Sequence, residues 1–164
     1  MASVSDKQGQ PALFRDQNVF IEQVLPAARA RLVTIANDAP LQDAARLLVA
    51  GTDLVVVCAA NGIMVGVITK TDVVAQIGKC HGTACMTAAA RVMTTEILQC
   101  LSSDLVHEVW KKMRALDLKN VPVVDAAGRP VGVLNARDAL GILLQEVKNE
   151  ESLLRDYVMG VGYR

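Results

Sequence analysis

Apolar residues recur along this chain in two kinds of spacing, and the two kinds alternate in the same order in both halves. Continuous apolar runs at 54–58 and 121–124 are typical of strands that are covered on both faces. Before each run, apolar residues fall at i, i+3, i+4 and i+7, which predicts an amphipathic helix. Those helical positions are Leu41, Ala44, Ala45 and Leu48 in the first half, and Val106, Val109, Trp110 and Met113 in the second.

Each half therefore predicts the order strand, helix, strand, strand, helix. The first strands are expected at 32–35 and 97–98, followed by helices that begin after Pro40 and after a polar cap region at 102–104. Between the second and third strands stand Asn61-Gly62 and Ala127-Gly128, and Asn-Gly is a strong hairpin signal.

A seven-residue phrase marks the junction between the third strand and the last helix of each half. It reads Gly-Val-Ile-Thr-Lys-Thr-Asp at 66–72 and Gly-Val-Leu-Asn-Ala-Arg-Asp at 132–138, an offset of 66 residues. The offset is 65 at the first helix and 67 at the apolar strand, so we expect it to change only across loops, where insertions are tolerated. An internal duplication is the simplest explanation.

The same junctions also carry the candidate chemistry. Thr69 and Asn135 stand where a helix N-cap is expected, with Asp72 and Asp138 three residues later, a pattern that satisfies free backbone donors in a first helical turn. On its own this pattern predicts only a helix start. A helix N-terminus also attracts anions, and a carboxylate can accept hydrogen bonds from two adjacent sugar hydroxyls. Both junctions are therefore candidate sites for a phosphorylated sugar.

Composition narrows the class of protein. The 164 residues suffice for one or two domains, and with 52% apolar but only 3% aromatic residues the core must be aliphatic. Seventeen basic residues balance 17 acidic ones, which argues against a nucleic-acid-binding role. No run reaches the roughly 18 apolar residues of a membrane span, and the N-terminus lacks a signal-peptide pattern. Four cysteines favour a reducing compartment, so we expect a cytoplasmic protein.

The combined pattern resembles a tandem of cystathionine-β-synthase-type (CBS) domains over about residues 20–147. The resemblance rests on the β-α-β-β-α plan, the phrase Val-Pro-Val-Val-Asp at 121–125, the paired Gly-x-x-Thr/Asn-x-x-Asp motifs and the Val-Met-Thr lead-in at 92–94. It implies an α/β (α+β) fold in which two repeats pack as a pseudo-two-fold pair. The expected boundaries are a flexible segment at 1–18, repeats at 19–78 and 92–148, a linker at 79–91 and a tail at 149–164.

In such pairs, the resemblance implies, two clefts between the sheets bind adenine nucleotides or related adenosyl compounds. Carried over by position, the ribose acids are Asp72 and Asp138, with Thr69 and Asn135 beside them; the strand residues at the adenine slot are Val55, Val121 and Pro122; and the phosphate-facing cations are Lys70, Arg137 and Lys119. Asn135 stands where the family usually has Thr or Ser, and Thr71 stands where the second copy has Arg137. We therefore expect the two sites to be unequal.

The expected function is that of a regulatory sensor, with no catalytic residues and no required cofactor or metal. Its ligand is expected to be AMP, ADP or ATP, or alternatively NAD or S-adenosylmethionine, and its output is expected to pass to a partner protein. Apolar helical faces favour a homodimer, which the resemblance implies is disc-shaped. The alternative is an interaction scaffold of the same fold with empty clefts.

A third interpretation is that Cys80, His81 and Cys85 form the site of a small enzyme or bind a metal ion. Structural zinc sites usually pair two close ligands with a second close pair, which is missing here. His81 also cannot easily turn back to act as a base for its neighbour Cys80. We therefore expect this stretch to be an ordinary loop between the repeats.

Overall fold

The structure is a computed structural model that describes residues 18–79, 82 and 86–161. Most of the segment that was expected to be flexible lies outside the described residues, as do Cys80, His81 and Cys85.

Each half of the described chain forms one three-stranded sheet with helices around it. The first half contains α1 (Leu25–Ala30), β1 (Thr34–Ala36), α2 (Leu41–Val49), β2 (Leu54–Cys58), β3 (Met64–Thr69) and α3 (Lys70–Lys79). The second contains α4 (Ala89–Val92), β4 (Cys100–Leu101), α5 (Val106–Ala115), β5 (Asn120–Val124), β6 (Pro130–Asn135) and α6 (Ala136–Val161). In both sheets the first two strands are parallel and the last two are antiparallel, which confirms the α+β class and the repeated plan.

The strand register corrects the predicted offset between the repeats. Val57 lies opposite Gly66, and Val123 lies opposite Gly132, so the strands are offset by 66 residues and the value of 67 is wrong. The extra residue of the second copy lies at the end of a helix, because α5 has ten residues and α2 has nine. The turns that follow are equivalent, since Gly51 and Asp117 both have a positive φ, of 121° and 53°.

The first strand of each sheet begins later than its apolar residues predict. β1 starts at Thr34, and β4 starts only at Cys100, after the predicted pair 97–98. Ile97 is instead packed against a cluster between the two sheets, and Leu98 against the core of the second half. Their apolar character therefore reflects side-chain burial and not strand pairing.

The segment that precedes each repeat packs on the opposite repeat. We call these two segments, residues 19–31 and 87–96, the lead-ins of the first and second half. The N–H of Leu41, at the start of α2, donates to the carbonyl of Thr87 at 2.8 Å, and the N–H of Val106, at the start of α5, donates to the carbonyl of Val19 at 2.8 Å. The N-cap residues Pro40 and Leu105 provide no side-chain cap, so these carbonyls satisfy helix donors that would otherwise be free. The two halves therefore interlock.

The cap expected at 102–104 is accordingly wrong. Asp104 accepts a hydrogen bond from the backbone N–H of Leu101 at 2.8 Å, which closes the turn before the helix and does not cap α5. In the segment before α1, Phe20 is 43% exposed, whereas Val24 is buried.

Three apolar clusters hold the described part together. One lies in each half, and each includes residues of the lead-in from the other half, such as Ala28 in the second and Ala89 in the first. The third cluster joins the sheets and contains Leu54, Val56, Val67 and Val133. None of the described helices has the length and hydropathy to cross a membrane.

Gly132 should be intolerant of a side chain because α1 crosses β6 at this point. A Cβ at Gly132 would lie 2.9 Å from the Cβ of Ala28 and 3.0 Å from its carbonyl carbon, so Gly132→Ala must displace α1. We expect a loss of about 1–3 kcal/mol in the free energy of unfolding, measured by urea denaturation.

The matched control is Gly141→Ala in α6, where an added Cβ meets nothing within 4 Å. This change should be neutral or stabilise the protein by up to about 1 kcal/mol, because alanine is the better helix former. Equal effects of the two substitutions would contradict the close packing of α1 on β6.

Candidate functional site

A cleft of about 1200 Å³ opens where the two strand-to-helix junctions face each other. Its walls come from both halves and include residues 69–72, 94, 96–98, 116–120 and 135–137. We refer to it as the large cleft. Six of the predicted site residues lie in its walls: Thr69, Lys70, Asp72, Lys119, Asn135 and Arg137.

The other four predicted residues lie elsewhere. Val55 and Val121 have no exposed surface and belong to the cores of the first and second halves. Pro122 is also fully buried, and Asp138 does not line the large cleft.

Strand geometry explains the position of the two valines. Successive side chains of a strand point to opposite faces, so when Val55 and Val121 face the cores, the preceding residues face away from them. Those residues are Leu54 and Asn120, and both line the large cleft.

Asp72 is held at the cleft wall by donors from two segments. Its Oδ2 accepts from the backbone N–H of Thr69 at 2.8 Å and from the Thr69 hydroxyl at 2.9 Å. Its Oδ1 accepts from the hydroxyl of Thr94 at 3.2 Å. The Thr69 hydroxyl thus orients the carboxylate, and Oδ1, with its longer hydrogen bond, is the oxygen better able to exchange a partner for a ligand hydroxyl.

The second junction is arranged differently. Asn135 is a side-chain N-cap, since its Oδ1 accepts from the N–H of Arg137 at 2.9 Å and its Nδ2 donates to Asn120 at 3.0 Å. The carboxylate of Asp138 is paired with Arg31, whose Nη2 and Nε lie 2.8 Å and 3.0 Å from Oδ2. Two similar phrases therefore give one acid that faces an open cleft and one that faces a guanidinium.

The large cleft carries both signs of charge. Its cationic side chains are Arg31, Lys70, Lys119 and Arg137, and its acidic ones are Asp53, Asp72, Glu96 and Asp117. Lys70 lies 3.8 Å from Asp53 across an exposed pair, which is a weak interaction in water. The apolar part of the wall comes from Leu54, Ile97, Leu98, Leu116 and Leu118.

The contacts that the lead-ins make with the two junction acids were not predicted from the sequence. Thr94 belongs to the Val-Met-Thr phrase that was read as a family marker, without a contact assigned to it. Arg31 lies 65 residues before Glu96, the same offset as between the first helices. That offset is the signal that could have placed Arg31 and Glu96 at equivalent points of the two junctions.

A smaller cleft of about 340 Å³ adjoins the large cleft, and Arg31, Asp53, Leu54 and Asn120 line both. Its lining includes Arg31, Val33, Asp53, Leu54 and Asn120, and the repeat offset equates these with Glu96, Leu98, Lys119, Asn120 and Leu54 of the large cleft. The two clefts are therefore pseudo-equivalent, but Asp138 does not line the smaller one.

The described part of the chain offers little for nucleophilic or metal chemistry. Burial and the neighbouring charge of Asp104 raise the pKa of the Cys100 thiol to about 12, and burial raises the pKa of Cys58. Both thiols are therefore poorly ionised at neutral pH. Among the described residues, no three His, Cys, Asp or Glu side chains are grouped to hold a metal ion.

Comparison with known proteins identifies the architecture. A scan against protein-family models matches the CBS domain twice, at residues 21–79 and 89–145. A search of curated proteins found no match.

Solved structures of similar fold include the CBS-domain containing protein ATU1752 from Agrobacterium tumefaciens (TM-score 0.65, 23% identity, 76% of this chain and 98% of that one). CBSX2, solved in complex with AMP, is also similar (TM-score 0.65, 23% identity, 77% and 96%). So is the CBS domain pair of MJ0100, in complex with 5'-methylthioadenosine and S-adenosyl-L-methionine (TM-score 0.64, 20% identity, 76% and 98%).

Proposed function

The chain belongs to the CBS domain family, and we propose that it is a regulatory module that binds an adenine nucleotide or related adenosyl compound in the large cleft. The observation that carries the proposal is the position of Asp72, an oriented carboxylate at the wall of an open cleft that also presents Lys119 and Arg137. The ligands named for CBSX2 and MJ0100 support the choice of an adenosyl compound.

Asp72 is the proposed acceptor of the ribose hydroxyls. Thr69 occupies Oδ2 from the strand side, so the ribose approaches Oδ1 and replaces the 3.2 Å contact from Thr94. A sugar hydroxyl pair makes two charge-assisted hydrogen bonds where one longer bond existed, which favours exchange.

The phosphate is proposed to bind between Lys119 and Arg137. Arg137 is exposed in the first turn of α6, where the helix dipole also favours an anion. Its planar guanidinium matches two phosphate oxygens, whereas Lys119 supplies a point charge. Lys70, paired with Asp53, is a weaker candidate.

The adenine ring is proposed to lie against the apolar part of the wall, formed by Leu54, Ile97, Leu98, Leu116 and Leu118. These residues take the role first assigned to Val55 and Val121, which are enclosed in the cores.

A ligand at this position contacts both halves of the chain. It can therefore shift the arrangement of the halves, to the extent that it binds one arrangement more tightly than another. We propose that a partner protein reads this shift and that the chain itself catalyses no reaction.

Asp72→Asn should weaken binding at least tenfold, because the amide keeps the shape but accepts ribose hydroxyls without charge. The measurement is isothermal titration with AMP, ADP, ATP, NAD and S-adenosylmethionine in turn. For the unmodified protein, a ligand at 100 times its dissociation constant should also stabilise the fold by about 2.7 kcal/mol, which is visible as a thermal shift.

The matched control is Asp43→Asn on α2, an exposed acid whose partner is Arg46 and which lies outside both clefts. It should leave the affinity unchanged. If none of the five compounds binds the unmodified protein, the alternative interpretation, an interaction scaffold with empty clefts, is favoured instead.

We further propose that the chain forms a homodimer through the distal part of α6. Residues 149–160 are exposed, and Leu154, Tyr157 and Val158 fall at i, i+3 and i+4, each more than 60% exposed. Such a stripe on a helix that leaves the body of the protein is suited to pairing with a second copy.

Leu154→Glu should therefore convert a dimer into a monomer, as measured by light scattering during size-exclusion chromatography. Ser152→Glu, which adds the same charge to the opposite side of this helix, is the control and should leave the dimer intact. A monomeric unmodified protein would contradict this part of the proposal.

A further inference from the structure

The two clefts differ at several pairs of equivalent positions, one of which is formed by residues 31 and 96. Residue 96, beside the large cleft, is a glutamate, and its counterpart beside the smaller cleft is Arg31. A glutamate cannot form an ion pair with Asp72, whose second oxygen accepts a hydrogen bond from the neutral hydroxyl of Thr94 at 3.2 Å. Arg31, in contrast, makes two contacts with Asp138, at 2.8 Å and 3.0 Å.

The backbone holds Arg31 close to Asp138. Arg31 is the C-cap of α1, and its N–H donates to carbonyls of the preceding turn. α1 in turn lies directly on Gly132 of β6, the strand that leads to Asp138. The guanidinium is therefore delivered to this carboxylate by the same close packing that joins the halves.

This ion pair separates the second acid from its cleft. Asp138 is absent from the lining of the smaller cleft, whereas Arg31 is part of it and also reaches the wall of the large cleft. Both contacts fall on Oδ2 of Asp138, so the guanidinium fixes the position of this carboxylate.

We propose that the Arg31–Asp138 pair blocks the smaller cleft, so that each chain binds one nucleotide and holds a second, latent site. This inference rests on the proposed function of the large cleft. Both side chains are partly exposed, at 43% and 28%, so the pair is not a support of the core and can be removed without unfolding the protein.

The test is the number of AMP molecules bound per chain, measured by isothermal titration. The unmodified protein should bind one, and Arg31→Ala should bind two. In an Asp72→Asn background, Arg31→Ala should restore one site, which a further Asp138→Asn change should remove.

Arg31→Gln should act like Arg31→Ala. The control is Arg29→Ala, which removes an exposed arginine of α1 and should leave one site.

The outcomes separate the two proposals. One site in both the unmodified protein and Arg31→Ala would overturn the block and leave the proposed function standing, as would two sites in the unmodified protein. No site in the unmodified protein but one Asp138-dependent site in Arg31→Ala would support the block and overturn the role of the large cleft. No binding by either protein would overturn both.

Discussion

The backbone carbonyls of Val19 and Thr87 each accept from the first N–H of a helix in the opposite half. These two hydrogen bonds are part of a reciprocal packing of the lead-ins, which we call the exchange. In it, α1 packs on the second sheet and α4 packs on the first. A free donor at a buried helix start is costly, so neither half is complete without the lead-in from the other. The exchange fixes how the two sheets face each other, and the clefts between them follow from it.

The same exchange makes two similar junctions unequal. Each junction contributes a strand end, a helix start and an acid, but the group opposite the acid comes from the lead-in of the other half. For Asp72 that group is the hydroxyl of Thr94, and for Asp138 it is the guanidinium of Arg31. A neutral donor can be exchanged for a sugar hydroxyl, whereas a guanidinium that contacts a carboxylate twice competes with one. A duplicated motif therefore leaves one acid with a neutral partner at the wall of a cleft and pairs the other with a guanidinium.

The elements that depend on local sequence were predictable. The continuous apolar strands β2 and β5, the hairpins that follow them and the helices with a 3.6-residue period all lie close to their expected positions. Their patterns are set by residues that are near each other in the chain. Five residues of the junction motifs, together with Lys119, line the large cleft, and their binding roles stay predictions.

The remaining features depend on tertiary contacts. A strand that is apolar on both faces does not show which face meets the core, so Val55 and Val121 were chosen where Leu54 and Asn120 line the cleft. Arg31 was missed because its partner lies 107 residues away. The cap of α5 was assigned to the nearby polar residues 102–104, because a backbone carbonyl from a distant segment leaves no mark in the sequence.

The most direct test of this account is a crystal structure of the protein grown with AMP. The account predicts AMP in the large cleft, with its ribose hydroxyls on Oδ1 of Asp72, its phosphate between Lys119 and Arg137, and the Arg31–Asp138 pair intact beside an empty smaller cleft. AMP bound in the smaller cleft, or bound in the large cleft without contact to Asp72, would contradict it.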